Sequence, residues 1–511
     1  MIPVSNAWKE AHKGFLLPET FVEITCEVVD TAAQAAAHAN VNEWEGEAVF
    51  SRCDNVTVES TATPKYATLE RNLWMLDGTH SILPGDGSSE NPGYASPQTT
   101  GNLYVHTCCT GTTAIPGITI TWSSEYDEYP TRFIVQAWLN EMPVGETVVV
   151  RNNTSNVSVV DLELTEYDMV NIYADEWSLP DHRVRIDNVV FGHVMTFDKK
   201  DIISYRHEQS GDLNSGELPK NAITFSLDNS DGKWHPINPK GLSRYLCERQ
   251  KITTRYGMNV NGTVEWIPGG VFYLSEWRAP ANGLEASFVA KDLFDSMLNI
   301  PFGQTIEWTL RNHIERAFAV GGGYTYHLDP TVNHTYWGMS NRDDNTAAVV
   351  QMCANAACCV VWIDRNGEPH IAPLDKTASD YTIGTAVSYA HPEVTLTKPL
   401  KTVTVRYGGE RTAVVTVGSI GEDQTLDNPM IYNYENIEDD EQPFEVAQWI
   451  ADTLKSRTVV NGEFRADPRL DLYDIVTVEG KYGAIAPVAI TNITYEYTGC
   501  FRATFEGRVL S

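Results

Sequence analysis

Residues 216–239, GELPKNAITFSLDNSDGKWHPINP, decide the reading because a strand, a turn and a strand exit follow one another in one run. Ile223, Phe225 and Leu227 alternate with Thr224, Ser226 and Asp228, the period of two that marks a half-buried strand. Residues 229–232, NSDG, carry turn chemistry, since Asn and Asp side chains bond the local backbone and Gly accepts a positive φ. Trp234 is the first large apolar residue after that turn, and Pro236 and Pro239 lack the N–H that a central ladder needs, so the chain leaves the sheet there. The stretch alone predicts a β-domain.

Working outward, 511 residues are too many for one core, and three or four domains are expected. The chain has 37 Lys and Arg against 68 Asp and Glu, a formal net charge of −31. That balance argues against a phosphate-binding surface, which gains affinity by placing Lys and Arg on the backbone of a nucleic acid. It is compatible with a surface past which DNA moves without sticking, and equally with solubility alone. The nine cysteines show no paired Cys-x-x-Cys spacing, so no structural metal is expected and buried, reduced thiols are. The first residues, MIPVSNAWKEAHKGFLLPE, hold no apolar run of signal-peptide type, and no window approaches a membrane span. The expectation is a soluble protein made in a cytoplasm, with no membrane insertion and no cofactor.

Along the chain, residues 21–29, FVEITCEVV, alternate as a strand, and 31–40 form an Ala-rich polar stretch. From residue 56 to 192 short alternating runs recur between Gly, Pro, Ser and Asn without helical periodicity, which predicts a jelly-roll-like sandwich. Strand-turn-strand patterning resumes at 193–205 and continues through KITTRYGM, VEWIPGGVFYLSEW and LEASFVAKD to Asp292. After that, 307–320 and 341–357 have helical spacing, the first burying Leu310, Ile314, Ala317 and Phe318, the second capped by Asn341 or Asp343 with Met352, Cys353 and Ala356 as core. A hairpin with Asn366-Gly367 as its turn follows. From residue 394 the pattern is β again, apart from a helix at 443–458 with Phe444, Ala447, Ile450 and Leu454 on one stripe and Lys455 and Arg457 in its last turn. A polar turn at 466–469 and a hairpin through Thr498-Gly499 close the chain.

The expected fold class is mainly β with α+β segments. The domains would be a discontinuous first β-barrel (1–30 plus 194–295), an inserted β-sandwich (31–193), an α/β middle domain (296–390) and a second barrel with one helix (391–511).

Three stretches, ITFSLDNSDGKWHPINP, NRDDNTAAVVQMCANAACCVVWIDRNGEPHIAPL, and FRADPRLDLYDIVTVEG with its closing TGCFRATFEGR, together resemble phage tail hub proteins. These are the tail-tip or baseplate hubs of the late control protein D and tail-associated lysin N-terminal family. YATLERNLWMLDGTHSILP and RVRIDNVVFG resemble the galactose-binding-like sandwiches inserted into such proteins. The resemblance implies a structural virion protein at the tail tip, made in the bacterial host. Two barrel-like domains per chain would build a homotrimeric ring that continues the tail tube around the DNA path. Implied neighbours are a distal tail protein or tail tube ring, tail fibre or other tail-tip proteins, and host-surface polysaccharide, with phage DNA passing through unbound. A lysin's hydrolase segment does not follow, so cell-wall cutting would fall to another subunit. A distal tail protein carrying a carbohydrate module and a glycan-active enzyme are the alternatives.

The enzyme reading needs two carboxylates held on a rigid floor. Glu125 with Asp127 and Glu128, or Asp175 with Glu176, qualify by type but lie in loop-like sequence, and no nucleophile elbow or zinc-protease pair accompanies them. No catalytic residue and no metal ligand is expected, Asp54 and Asp86 having no calcium-loop pattern around them. Glycan binding needs exposed aromatic faces flanked by polar side chains. Tyr126, Tyr129 and Trp177 in loop-like sequence, with Tyr94 and Asp77, are the candidates, while Trp74 and Trp122 read as core. His235 reads as a surface or satisfied interface histidine.

Overall fold

The computed structural model describes all residues except 15–17, 42–56, 59–66, 69–79, 85–92, 98–100, 108–113, 123–126, 179–185, 239–240, 280–282, 305, 334–336, 341–342, 378–380, 408–410, 418–424, 429–440 and 511. For 31, 35, 38–41, 57–58, 67–68, 80–84, 93–97, 101–107, 306–308, 337–340 and 425–428 it describes the backbone alone. The chain is mainly β with a few helices, as expected, and divides into two compact units. One comprises 1–25, 196–235 and 251–511, the other 26–195 and 236–250.

The first unit is built on one long sheet. Its strands include β1 (Thr20–Val29, of which the first part lies in this unit), β2 (Ile202–Ser210), β3 (Lys220–Asp228), β4 (Lys251–Val260), β5 (Thr263–Arg278) and β6 (Glu285–Lys291). Further on come β7 (Glu393–Leu396), β8 (Thr458–Phe464), β9 (Ile475–Gly480), β10 (Gly483–Tyr497) and β11 (Phe501–Val509). They run in the order β1-β4-β5-β6-β3-β2-β10-β11-β8-β7, with β9 on β10. The opening stretch supplies β3, and Ile223, Phe225 and Leu227 are fully buried as their alternation demands. Phe225 stacks on Phe288 of β6 with ring centroids 5.0 Å apart, and Trp234 meets Phe288 edge-on at 5.3 Å. Alternation therefore sets the register, because a slip by one residue would turn these rings to solvent.

The opposite face of the same strands is polar and carries cross-strand ion pairs. Arg255 of β4 meets Glu23 of β1 at 2.5 Å, and Arg206 of β2 meets Glu496 of β10 at 2.7 Å. Strand β2 joins the early and late strands: it pairs with β3 on one side and with β10 on the other, from Tyr205↔Tyr497 to Ser210↔Asn492.

The three longest helices of this unit pack together. Helix α1 (Leu310–Gly321) buries Leu310, Ile314, Ala317 and Phe318, the face read from the sequence, but it starts three residues later than expected because Thr309 caps it and 306–309 are strand. Helix α2 (Thr346–Ala356) is capped by Asn345, whose side chain accepts from the Ala348 N–H at 2.7 Å. The cap is thus neither Asp343 nor Asn341, the latter lying outside the described residues. Helix α3 (Glu441–Leu454) ends before Lys455 and Arg457, and its buried face is Val446, Ala447, Ile450 and Ala451, with Phe444 exposed. The stripe follows Val446 because that side of the helix packs on the strands Thr402–Tyr407 and Arg411–Thr416. All three helices and those strands share one core, which crosses residue 390 without a break.

The second unit is a sandwich. One sheet runs Met142–Arg151, Pro130–Leu139, Met169–Trp177, Gly101–Thr107, Ala37–Val41, Thr57–Val58, and the other Val157–Leu164, Ile115–Trp122, Ile186–Val190. Ile118, Ile120 and Trp122 of one meet Phe133, Val135 and Ile172 of the other in a single core. The Ala-rich stretch is a short helix, Thr31–Ala36, capped by Asp30 through the N–H groups of Ala32 and Ala33, followed by a strand, Ala37–Val41.

Candidate functional site

The residues singled out in the sandwich separate into those that pack and those outside the described set. Trp177 is not in a loop: it ends the strand Met169–Trp177 and is 8% exposed. Its ring lies edge-on to Trp122, and its indole N–H donates to Glu128 Oε2 at 2.9 Å. Tyr129 packs half-buried against the same core. Trp122 is fully buried and donates to Ser158 Oγ at 2.9 Å, the core role expected of it. Among the carboxylates, Glu128 is taken by Trp177, Asp175 pairs with Arg132, and Asp127 is an exposed turn residue with φ 52. Glu128 thus meets a ring and Asp175 a guanidinium. Tyr126, Asp77, Trp74, Glu125, Asp54 and Asp86 lie outside the described residues, and Tyr94 is described by its backbone alone.

The first unit holds a polar cluster that periodicity does not reveal. Residues 466–469, expected as a polar turn, are buried: Asp467 is 0% exposed and Arg469 5%. Arg469 Nε donates to both carboxylate oxygens of Asp467 at 2.9 Å, and His12 Nδ1 lies 3.6 Å from Oδ2. Burial pulls the His12 imidazole below its usual value, against the raising effect of Asp467. Four residues on, Asp471 receives two long side chains. Gln209 Nε2 donates to Oδ1 at 2.6 Å, and Arg365 Nε donates to Oδ2 at 3.2 Å. Arg365 comes from the turn of the hairpin Val360–Ile363/Pro369–Ala372, and also donates to the Leu470 carbonyl at 2.7 Å and the Pro268 carbonyl at 3.2 Å. One guanidinium thereby ties the hairpin, β5 and the 467–474 loop together.

Next to this lies a directional chain of hydroxyls. His207 Nε2 is 2.6 Å from Asn221 Oδ1, which only accepts, so Nε2 carries the proton and Nδ1 accepts from Tyr256 Oη at 2.7 Å. Tyr205 Oη then donates to Tyr256 Oη, also at 2.7 Å. Burial, aided by the Arg365 charge, lowers the His207 pKa to about 4, so the ring is neutral. Asp292 completes the region: it caps the helix Leu293–Met297 through the Phe294 N–H and accepts from the Asn221 N–H, each at 2.9 Å. Burial raises its pKa to about 7 despite those bonds. A satisfied network of this kind fixes geometry. Among the described residues, no group of three or more His, Cys, Asp and Glu is placed to hold a metal ion.

None of Arg365, Gln209, His207 and Asp467 was singled out from the sequence. The signal was present in RADPRLDLYD, where charged residues alternate with apolar ones beside a proline, but type alone does not say which charges are buried.

No protein-family profile matches the chain, and no curated protein does. Among solved structures it is similar to the 43 kDa tail protein of prophage MuSo2 from Shewanella oneidensis, with 14% identity and TM-score 0.43 over 62% of this chain and 95% of that one. It is similar to a tail protein from Neisseria meningitidis MC58, at 9% identity and TM-score 0.42 over 62% and 94%. It is also similar to the prophage tail protein gp18 from Listeria monocytogenes EGD-e, at 11% identity and TM-score 0.42 over 62% and 91%.

Proposed function

We propose that the chain is a structural virion protein, a phage tail hub at the tail tip or baseplate, which assembles as a homotrimeric ring continuing the tail tube around the DNA path. The observation that carries this reading is the pairing of β2 with β10, because it makes one wall of the early and the late strands. Two of the three sequence blocks that resemble tail hubs lie in or against that wall, residues 220–228 as β3, 467–474 as a largely buried loop and 501–509 as β11, while the middle block forms α2 and the hairpin Val360–Ile363/Pro369–Ala372. A ring around DNA needs stiff subunits, and a continuous sheet pinned by Arg365 and Asp471 supplies stiffness. The excess of carboxylates over cations suits a conduit for duplex DNA, since like charge offers the phosphates nothing to hold. Its neighbours would be a distal tail protein or tail tube ring and other tail-tip proteins.

Reconstruction of the assembled particle by electron microscopy tests this. Three copies on the tail axis are expected; six would assign the chain to a distal tail ring, and an off-axis position would remove the hub reading. Glycan binding by the sandwich is a separate proposal. With Trp177 and Tyr129 engaged in packing, it rests on Tyr126, Tyr94 and Asp77. Binding of host cell-wall polysaccharide that is unchanged in Tyr126→Ala and Tyr94→Ala would end it.

A further inference from the structure

In the second unit, Phe133, Val135, Ile172 and Ala174 fill the core from one face of the six-stranded sheet. By alternation Arg132, Trp138, Asn171, Tyr173 and Asp175 stand on the other face, each half-buried. The register sets Trp138 opposite Met169 and Tyr173 opposite Ile134, which puts Trp138 and Tyr173 on neighbouring strands, offset by ~13 Å along them. Asn171, opposite Gln136, comes between the two, and Arg132 with Asp175 lies beyond Tyr173. Polar atoms are left over along this line. Arg132 Nη1 pairs with Asp175 Oδ2, yet Arg132 Nε, Asp175 Oδ1, Trp138 Nε1 and Asn171 Oδ1 have no hydrogen-bond partner among the described residues. Gln136, by contrast, is spent on its own and the neighbouring strand, donating to the carbonyls of Ala137 at 2.9 Å and Val144 at 3.0 Å. The four unpaired atoms are two donors and two acceptors. They are already shielded from water, so covering the face costs them no further desolvation, and a ligand to which these side chains turn gains each bond.

We infer that this sheet face binds a neutral oligosaccharide. A sugar hydroxyl both donates and accepts, so one ligand class answers both kinds of unpaired atom, whereas a phosphate only accepts and an ammonium only donates. Charge favours neither sign: Arg132 is matched by Asp175, and exposed Arg151 by exposed Glu176, both of which the register sets opposite Arg132. A peptide backbone also donates and accepts, but it docks by adding to a strand edge, and the strands Pro130–Leu139 and Met169–Trp177 are paired on both sides. Trp138 and Tyr173 offer ring faces to the C–H side of pyranose rings, and their separation calls for a chain of sugars rather than one. This face shares its class of ligand with the loop site of Tyr126, Tyr94 and Asp77 and uses none of those residues.

The test titrates the full chain by calorimetry with cellohexaose, laminarihexaose and chitohexaose, taking hexagalacturonate as the acidic control and hexalysine as the basic one. At least one neutral hexamer is expected to bind and the two controls not. Trp138→Ala and Tyr173→Ala should each weaken that binding about tenfold or more, with circular dichroism unchanged. Trp138→Phe keeps a ring and loses only the N–H, so it should weaken binding less, and Tyr126→Ala should bind as the parent does. Absence of binding by every neutral hexamer, equal binding of either control, or full affinity in both alanine variants would overturn the inference. Binding lost in Tyr126→Ala but kept in Tyr173→Ala would put the sugar on the loops, and the inference would fall while the loop proposal stood.

Discussion

Phe225 shows what a single alternating position does in this chain. It is fully buried, stacked on Phe288, and lies in the strand whose neighbours on both sides belong to the long sheet. Phe225→Ala leaves a void that the stacked ring cannot fill, and should cost ~3–5 kcal/mol, read as a fall in the urea midpoint. Asp292 and His207 act through protons, with opposite signs. For Asp292 the folded pKa of about 7 exceeds the 3.8 of the free group, so its contribution is fully present below pH 3.8 and is lost as pH rises through 7. For His207 the folded pKa of about 4 lies below 6.5, so the folded state binds fewer protons and stability is lost as pH falls from 6.5 towards 4. Between pH 4 and 6.5 the two slopes offset. Asp292→Asn keeps an amide able to cap the helix Leu293–Met297 and removes one slope, so its unfolding free energy should climb more steeply than the parent's from pH 5 to 7, by about 1–3 kcal/mol. Parallel curves from denaturant titrations at both pH values would refute the assignment of Asp292.

At the scale of elements, the hairpin Val360–Ile363/Pro369–Ala372 is the clearest case of a local signal with a distant purpose. Its Asn366-Gly367 turn was legible, and Gly367 has φ +85 as such a turn requires. What its neighbour Arg365 reaches was not, because Asp471 lies 106 residues away in sequence and alternation carries no information about partners. The same limit hid Asp467 and Arg469, charged side chains that satisfy each other inside a loop expected at the surface. Strands and helix faces were legible wherever burial follows a period, as in β3 and α1. Helix ends were not, since Thr309 and Asn345 won their caps by tertiary context, and neither was the sharing of one core by α3 and the α/β layer. In the sandwich, Trp177 read as loop because Asp175 and Glu176 precede it, yet those carboxylates simply flank a strand end. The buried pair gives a sharp expectation. Asp467→Asn strands Arg469 without its counter-charge and should destabilise by about 3–5 kcal/mol, whereas Asp467→Leu with Arg469→Met removes both charges and should cost less. Thermal unfolding of the two variants side by side decides, and equal losses would mean that the pair is not what the loop depends on.

At the scale of the molecule, net charge and assembly pull against each other. Each copy carries −31 by formal count, so bringing copies together concentrates like charge, and any contact that holds them must outweigh that repulsion. Mobile ions screen it: the Debye length is about 30 Å at 0.01 M salt and about 8 Å at 0.15 M. A ring of this chain should therefore form more readily as salt is added, the reverse of an assembly held by surface ion pairs. Sedimentation velocity of the purified chain at 10 mM and 150 mM sodium chloride is the direct measurement. The expected outcome is a shift from monomer towards trimer with rising salt at constant protein concentration. The ion pairs on the polar face of the sheet, Arg255 with Glu23 and Arg206 with Glu496, lie within one chain and compete little with this effect, as exposed pairs contribute about 0–1 kcal/mol each. A trimer that dissociates as salt is raised would place complementary charges in the subunit contact and would require the acidic surplus to lie away from it. A monomer at every salt concentration would count against the proposed ring.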